Sequence, residues 1–162
     1  MKQFAIQFFG VTQDFSPTRY ALIADSSRRA GYVDESIVAW KQDYPISLRP
    51  DVAFELATLY AIKEQSDSAF WWLEIALKQD STIRALVEGD FIYLSNLPEW
   101  AEIEAQQIAK SEALQGKYKN LELSKKLWRL QIRDQAYGTE WSLARKRLGQ
   151  EHPATKALEV LR

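Results

Sequence analysis

Carboxylates that could act as a general acid and a general base occur as two close pairs, Glu88 with Asp90 and Glu102 with Glu104. Such chemistry needs two acidic groups whose environments give them different proton affinities. A spacing of two residues is instead typical of a solvent-exposed helix face and of a helix-capping turn. We therefore predict that both pairs are structural, and that the chain has no catalytic residue and no enzymatic activity.

Metal and nucleophile chemistry have few candidate residues in this chain. Cysteine is absent, which excludes disulfides, thiolate ligands and a cysteine nucleophile. His152 is the only histidine, whereas a zinc site needs several ligands at matching spacing. The six glycines are scattered and form no phosphate-binding loop. We predict no metal and no cofactor, and we expect His152 to lie in a surface turn.

The overall composition is typical of a soluble globular domain, with 46% hydrophobic and 27% charged residues in 162. No apolar run approaches the ~20 residues of a membrane-spanning helix, which predicts no membrane insertion. The apolar patch near the N-terminus is interrupted by Gln7. This interruption favours a lead-in over residues 1–16, packed on the first helices, rather than a signal peptide. We predict a cytoplasmic location, or a periplasmic or exported one if a signal peptide has been lost.

Helical periodicity organises residues 17–83 into two helix-turn-helix units. Ser16 and Pro17 form a predicted helix start, Gly31 a helix end, and Pro45 and Pro50 bracket a predicted connector. Equivalent positions in the two units are separated by 33 residues, a period typical of helical repeats. The aligned pairs are Tyr20 with Ala53, Ile23 with Leu56, Ala24 with Ala57, Ser27 with Tyr60, Ser36 with Ala69, and Trp40 with Leu73.

Residues 50–83 resemble a tetratricopeptide repeat (TPR). The matching positions are Leu56, Ala57, Tyr60, Ala69, Leu73 and Ala76. The first unit is degenerate, with Ser27 where an aromatic residue is usual and Asp43 where alanine is usual. The resemblance implies an all-α fold, in which tandem antiparallel helix pairs form a TPR-like α-solenoid. It also implies a surface for protein binding rather than catalysis.

The remaining chain is predicted to close this stack. Residues 84–115 resemble the closing unit of bacterial repeat proteins, in which Asp90 would cap a helix and Trp100 would plug the end of the core. Residues 117–162 form the predicted C-terminal helical segment. It begins with a long helix from Asn120 to about Leu148 that carries a heptad seam, and Gly138 marks a kink or break. The seam positions are Leu123, Leu127, Leu130, Asp134, Tyr137, Trp141, Ala144 and Leu148.

The start of the long helix also resembles the opening helix of an uncharacterised bacterial domain that often follows such repeats. The Asp134-Gln135 pair is part of that resemblance. It implies that the domain is truncated in this chain, so that the chain would be a relic of a larger protein.

Charge is distributed unevenly along the chain. Residues 117–147 carry a net charge of +6 and the remainder −7. A nucleic-acid surface would use the basic residues together with Trp128 and Trp141, but the overall pI of about 5.9 weighs against it. The basic residues in question are Lys125, Lys126, Arg129, Arg133, Arg145, Lys146 and Arg147.

The leading functional hypothesis is a non-enzymatic protein–protein interaction module that binds a peptide or protein in its concave groove. In the TPR family the first helix of each unit lines this groove. Carried over by position, the groove residues are Asp25, Arg28, Arg29, Phe54, Thr58, Ala61 and Ile62. The alternatives are oligomerisation through the heptad helix, with the state open between monomer and homodimer, and a truncated relic of a larger bacterial repeat protein.

Overall fold

The computed structural model describes residues 17–161, apart from the side chain at position 139. Over this range the chain forms α-helices and short 3-10 turns and contains no strand, so the all-α prediction is confirmed. The helices are α1 (Arg19–Ala30), α2 (Val33–Ser47), α3 (Pro50–Ile62), α4 (Ser66–Leu77), α5 (Trp100–Gln115), α6 (Leu121–Gln135), α7 (Gly138–Leu148) and α8 (Pro153–Leu161). The 3-10 turns Arg84–Val87, Gly89–Phe91 and Leu94–Asn96 link α4 to α5 and together form the 3-10 segment.

The core is built around α3, which packs against both α4 and α2, while α1 packs against α2. Nearly every side chain of α3 from Val52 to Ala61 is buried, and Glu55 is the exception. A helix that is apolar on all sides is expected to be a central one. Ala24, Ala57 and Ala69 are fully buried, consistent with small residues allowing close approach of helices.

Two boundaries in the first helix pair differ from the predictions. The predicted cap Ser16 lies outside the described residues, and α1 starts at Arg19, where the Thr18 hydroxyl accepts a hydrogen bond from the Ala21 N–H at 3.1 Å. The predicted connector at Pro45 is wrong, because Pro45 lies inside α2, which continues to Ser47. A proline so close to the end of a helix affects only its last turn.

The 3-10 segment closes the core between α3 and α5. The Phe91 ring is fully buried and lies 5.4 Å from the Phe54 ring and 5.8 Å from the Trp100 ring, centroid to centroid. Such edge-to-face and tilted contacts are favourable for aromatic rings. The buried Trp100 therefore occupies the core position that was predicted for it.

The predicted long C-terminal helix is divided into α6 and α7, so its continuity is wrong, but the break predicted beside Gly138 is present. The break falls at Ala136 and Tyr137, and Tyr137 adopts a left-handed backbone conformation with φ of 61°. A non-glycine residue in this region interrupts the helical hydrogen bonding. Gly89 allows the end of α6 to pack closely on the 3-10 segment. A Cβ atom at this position would lie only 2.7 Å from the backbone carbon of Gln135, too close for any other residue.

The α6 part of the heptad seam does not pack on the other described helices, whereas Tyr137, Trp141 and Ala144 of the seam are half-buried. Leu123, Leu127 and Leu130 are all exposed, and so is Asp134. The buried face of α6 consists instead of Trp128 and Ile132, so the side of α6 that carries the heptad leucines faces away from the core.

Candidate functional site

A charged cleft lies where the end of α1 meets α3, the 3-10 segment and α7. Its centre is Arg28, in the last turn of α1. The Arg28 guanidinium donates hydrogen bonds to Glu55 on α3, to Asp90 in the 3-10 segment, and to the Thr58 hydroxyl at 3.0 Å. One side chain therefore ties together three elements that are far apart in the sequence.

The Arg28 cluster is largely removed from solvent. The side chains of Arg28 and Asp90 are 23% and 13% exposed. Taking charges out of water is costly unless each is paired, and the guanidinium satisfies both carboxylates with its two terminal nitrogens. The cluster is therefore a fixed part of the fold rather than a set of free surface charges.

Carboxylates outnumber the cation in this cluster. Burial raises the pKa of Asp90 to about 6; Arg28 opposes the rise, while Glu88, Glu140 and Glu55 add to it. Burial also raises the pKa of Glu55, again against the influence of Arg28. Asp90 consequently changes its protonation state in mildly acidic solution, well above the usual range of an aspartate.

An open cavity of about 540 Å³ lies beside this cluster. Asp25, Arg28 and Arg29 of α1 and Glu55 of α3 line one side. Gly138, Ser142 and Leu143 of α7 line the other side, and Ser142 is the exposed polar residue among these three. Because the walls carry both signs of charge, the cleft can accept a segment that is itself both acidic and basic.

Helix α7 reaches the end of α1 through two contacts. Leu143 packs so closely on Gly31 that a Cβ atom there would lie 2.9 Å from the Leu143 Cδ1. The Arg147 guanidinium lies over the Tyr32 ring at 5.3 Å. Apart from position 139, whose side chain is not described, α7 has no buried residue. Helix α7 therefore borders the open cavity and contacts the end of α1 through Leu143 and Arg147.

A second cavity, of about 160 Å³, lies beside the start of α7. Ala61 and Ile62 from α3, Asp90 from the 3-10 segment and Tyr137 and Glu140 from the start of α7 contribute to its lining. The Oε2 atom of Glu140 is buried and accepts no hydrogen bond from the part of the chain that the structure describes. Helix α7 therefore contributes to the lining of both cavities, together with α3 at both and α1 at the larger one.

The structure places five of the seven predicted groove residues beside the two cavities. Asp25, Arg28 and Arg29 meet in the larger cleft. Ile62 is half-buried and Ala61 is buried, both beside the smaller cavity.

The other two predicted groove residues are covered by the chain itself. Phe54 is packed between the Phe91 ring and the Arg84 guanidinium, which lies 4.0 Å from its centroid. Thr58 is buried, and its hydroxyl accepts from Arg28 and donates to the Glu55 carbonyl oxygen at 2.9 Å. Neither presents an open surface in this structure, and protein binding by the groove stays a prediction.

Two site residues were missed by the sequence reasoning. Glu55 could have been found, because it is the one charged side chain in the otherwise apolar run 52–62. Asp90 was expected to cap a helix, but Glu88 takes that position and accepts a hydrogen bond from the Asp90 N–H at 3.4 Å. No local spacing indicates the pairing of Asp90 with Arg28, which are 62 residues apart.

Several residues considered for metal or nucleic-acid binding have structural roles. Trp128 is buried with its ring edge-on to Tyr118, and Lys125 and Arg129 pair with the buried Glu104. His152 is exposed and its Nδ1 accepts a hydrogen bond from the Ala154 N–H at 3.2 Å. Within residues 17–161 no group of three or more His, Cys, Asp or Glu side chains is placed to hold a metal ion.

None of the described helices is both long enough and apolar enough to span a bilayer. Comparisons with protein-family models, with curated proteins and with solved structures found no significant match to this chain. The function is therefore inferred from the geometry of the cleft.

Proposed function

We propose that this chain is a non-enzymatic protein-interaction module that binds a charged segment of a partner protein or peptide. The binding site is the cleft between α1 and α7. The observation that carries the proposal is the fixed Arg28 cluster at the base of an open, charged cavity of about 540 Å³. A rigid base with exposed charges at its rim favours recognition of a complementary charged segment.

The rim charges define the chemistry of the partner. Arg29 is 81% exposed and interacts with Asp25 only at 3.7 Å, one helical turn away. Such exposed pairs contribute little to stability, so Arg29 can turn to a partner's carboxylate at small cost. Asp25, whose side chain is 49% exposed, is then available for a lysine or arginine of the same partner.

The TPR resemblance supports the same class of function. We infer that α1–α4 are two TPR-like units of antiparallel helices, because α1 packs on α2, α3 packs on α4, and equivalent positions recur every 33 residues. Helices α1 and α3 would then line the concave side, and both contribute to the cleft. A cytoplasmic location stays the prediction made from the sequence.

The test is affinity capture with three forms of the full chain as bait, followed by mass spectrometry. Arg29→Glu reverses the exposed charge at the rim. Arg19→Glu is the matched control, because it makes the same change on the same helix about 15 Å from Arg29. We expect a partner that is captured by the wild type and by Arg19→Glu but lost with Arg29→Glu. Equal capture by all three baits would contradict binding in the cleft.

A further inference from the structure

Helix α6 has two apolar faces, and only one of them is buried by the residues between 17 and 161. Trp128 and Ile132 are buried against the core. On another side of the helix, Leu123, Leu127 and Leu130 are 51%, 55% and 57% exposed. Steps of four and three residues place these leucines on one face, about 10 Å long. We call these three residues the leucine face.

The leucine face is held outward by contacts on the opposite side of α6. The carboxylate of Glu104, which is buried on α5, accepts a hydrogen bond from Arg129 at 2.9 Å and pairs with Lys125 at 3.1 Å. The Trp128 ring packs edge-on against Tyr118 at 5.2 Å. With one side anchored in this way, α6 cannot bury its leucines by rotating, and the described part of the chain leaves them open to a second surface.

We propose that the leucine face of α6 pairs with the same face of a second copy of this chain, with the two α6 helices antiparallel about a twofold axis near Leu127. A twofold interface is self-complementary, because each residue on one copy meets the residue at an equal distance on the other side of the axis. The leucines then interlock across the axis in the manner of a short antiparallel coiled coil.

The charges beside the leucine face favour this occupant. Glu122 precedes Leu127 by five residues and Arg133 follows it by six, and at about 100° per residue both lie on the same flank. Both side chains are exposed, and neither makes an ion pair with any residue between 17 and 161. Antiparallel pairing places Glu122 of each copy near Arg133 of the other, at both ends of the contact.

Asp134 adds a second complementary contact. It occupies the next heptad position after Leu130 and is exposed. In the same arrangement Asp134 lies near the start of the other copy's α6, where Lys119 precedes the capping residue Asn120. A carboxylate is favoured beside a helix N-terminus and a lysine.

Parallel pairing lacks this complementarity. It would place the flank that carries Lys126 and Arg133 beside the opposite flank, whose residues Ser124 and Gln131 are uncharged. Lys126 lies on the same flank one residue from the axis, so antiparallel pairing also brings the two copies' Lys126 side chains together. The two Glu122–Arg133 contacts, one at each end, offset this repulsion and favour the antiparallel arrangement.

The size of the contact sets its strength. A leucine face of about 10 Å on one helix per copy is smaller than the ~800 Å² per partner of a standard interface. We therefore expect a weak dimer, with a dissociation constant in the micromolar range or above. The leucine face and the cleft between α1 and α7 share no residue, so this inference is independent of the proposed function.

Sedimentation of the full chain from about 5 µM to about 500 µM brackets the expected dissociation constant and tests the proposal. We expect the wild type to shift from monomer to dimer over this range, and Leu127→Ser to stay monomeric throughout. Val38→Ser is the matched control, since Val38 is 57% exposed on α2, and it should dimerise like the wild type. Because both positions are exposed, both variants should keep the helical circular dichroism of the wild type.

Charge reversal tests the antiparallel arrangement. Glu122→Arg alone and Arg133→Glu alone each place like charges together and should weaken the dimer about tenfold, while the two changes combined should restore it. A wild type that stays monomeric at about 500 µM, or a Leu127→Ser variant that dimerises as well as the wild type, would overturn the proposal. A double variant no stronger than either single one would overturn the antiparallel pairing.

Discussion

Helices α3 and α6 have similar lengths but opposite relations to solvent. From Val52 to Ala61, α3 is buried on all sides except at Glu55. In contrast, α6 buries Trp128 and Ile132 and leaves three leucines exposed. We infer that α3 stabilises the fold, whereas α6 presents an apolar surface to solvent. Apolar residue type alone does not distinguish the two roles, because leucine occurs in both.

The largest expected effect separates the leucines of these two helices. Leu56 in α3 is fully buried, so Leu56→Ala should lower the free energy of unfolding by about 2–5 kcal/mol, through lost burial and a residual cavity. Leu127→Ala in α6 should lower it by less than about 0.5 kcal/mol, as expected for an exposed position. Urea unfolding of both variants measures the contrast. Equal losses of unfolding free energy would contradict the assignment of α3 as a core helix and α6 as a surface helix.

A second contrast compares two adjacent arginines of α1. Arg28→Ala should destabilise the chain by about 2–3 kcal/mol, because Glu55 and Asp90 lose their cation in a largely buried site. Arg29→Ala removes a side chain that is mostly exposed and should change stability by less than about 0.5 kcal/mol. Chemical denaturation of both variants at neutral pH is the measurement. If Arg28→Ala leaves the free energy of unfolding unchanged, the cluster does not stabilise the base of the cleft.

The pH dependence of stability should show the Asp90 carboxyl directly. Its folded-state pKa of about 6 exceeds the unfolded value of about 4, so the folded state holds this proton more tightly. The stability from this group is full below pH about 4 and is lost as pH rises through about 6, a change of about 3 kcal/mol. Unfolding of the wild type and of Asp90→Asn at a series of pH values should show a larger decline in the wild type, because Asp90→Asn keeps only the contribution of Glu55, whose pKa is also raised by burial. A decline of the same size in Asp90→Asn would assign it to another group.

Glu104, which anchors α6, should behave in the opposite sense. Burial opposes its ionisation, but hydrogen bonds from Arg129 and Lys125 outweigh burial and lower its pKa. Its contribution is therefore present at neutral pH and is lost as pH falls through the lowered folded-state pKa. Glu104→Gln should cost about 1 kcal/mol at neutral pH, and this difference should shrink in acid.

The matched control for that prediction is Glu102→Gln. Glu102 is exposed on the same helix and accepts a hydrogen bond from Gln106 at 3.1 Å. It should change stability by less than about 0.5 kcal/mol at any of these pH values. If the two variants behave alike, the anchoring of α6 through Glu104 is wrong.

The sequence predicts the first four helices well, because their signals are local. Pro50 lies at the start of α3 and Gly31 follows α1, both as expected from backbone preferences. Ala57, its counterpart Ala24, and Ala69 are all buried, as predicted for small residues where helices pack closely. These features depend on neighbours within one or two turns, which a sequence pattern records directly.

The C-terminal part and the cleft depend on contacts that sequence spacing does not record. The heptad of leucines is a regular pattern, but Trp128 and Ile132 bury more effectively against Tyr118 and the 3-10 segment, so α6 packs by its other face. Gly138 predicts the helix break, but no sequence pattern indicates that its neighbour Tyr137 takes the left-handed conformation. The pairing of Arg28 with Asp90 arises only when distant elements meet in the fold.

Site-specific photo-crosslinking from the wall of the cleft tests directly whether a partner binds there. A photoreactive residue at Ser142, on α7, faces the cleft, and one at Gln79, exposed just after α4, does not line it. Binding in the cleft predicts a crosslinked adduct to one partner from position 142, lost with Arg29→Glu, and no such adduct from position 79. Adducts of equal yield from both positions, or an adduct at position 142 that survives Arg29→Glu, would contradict it.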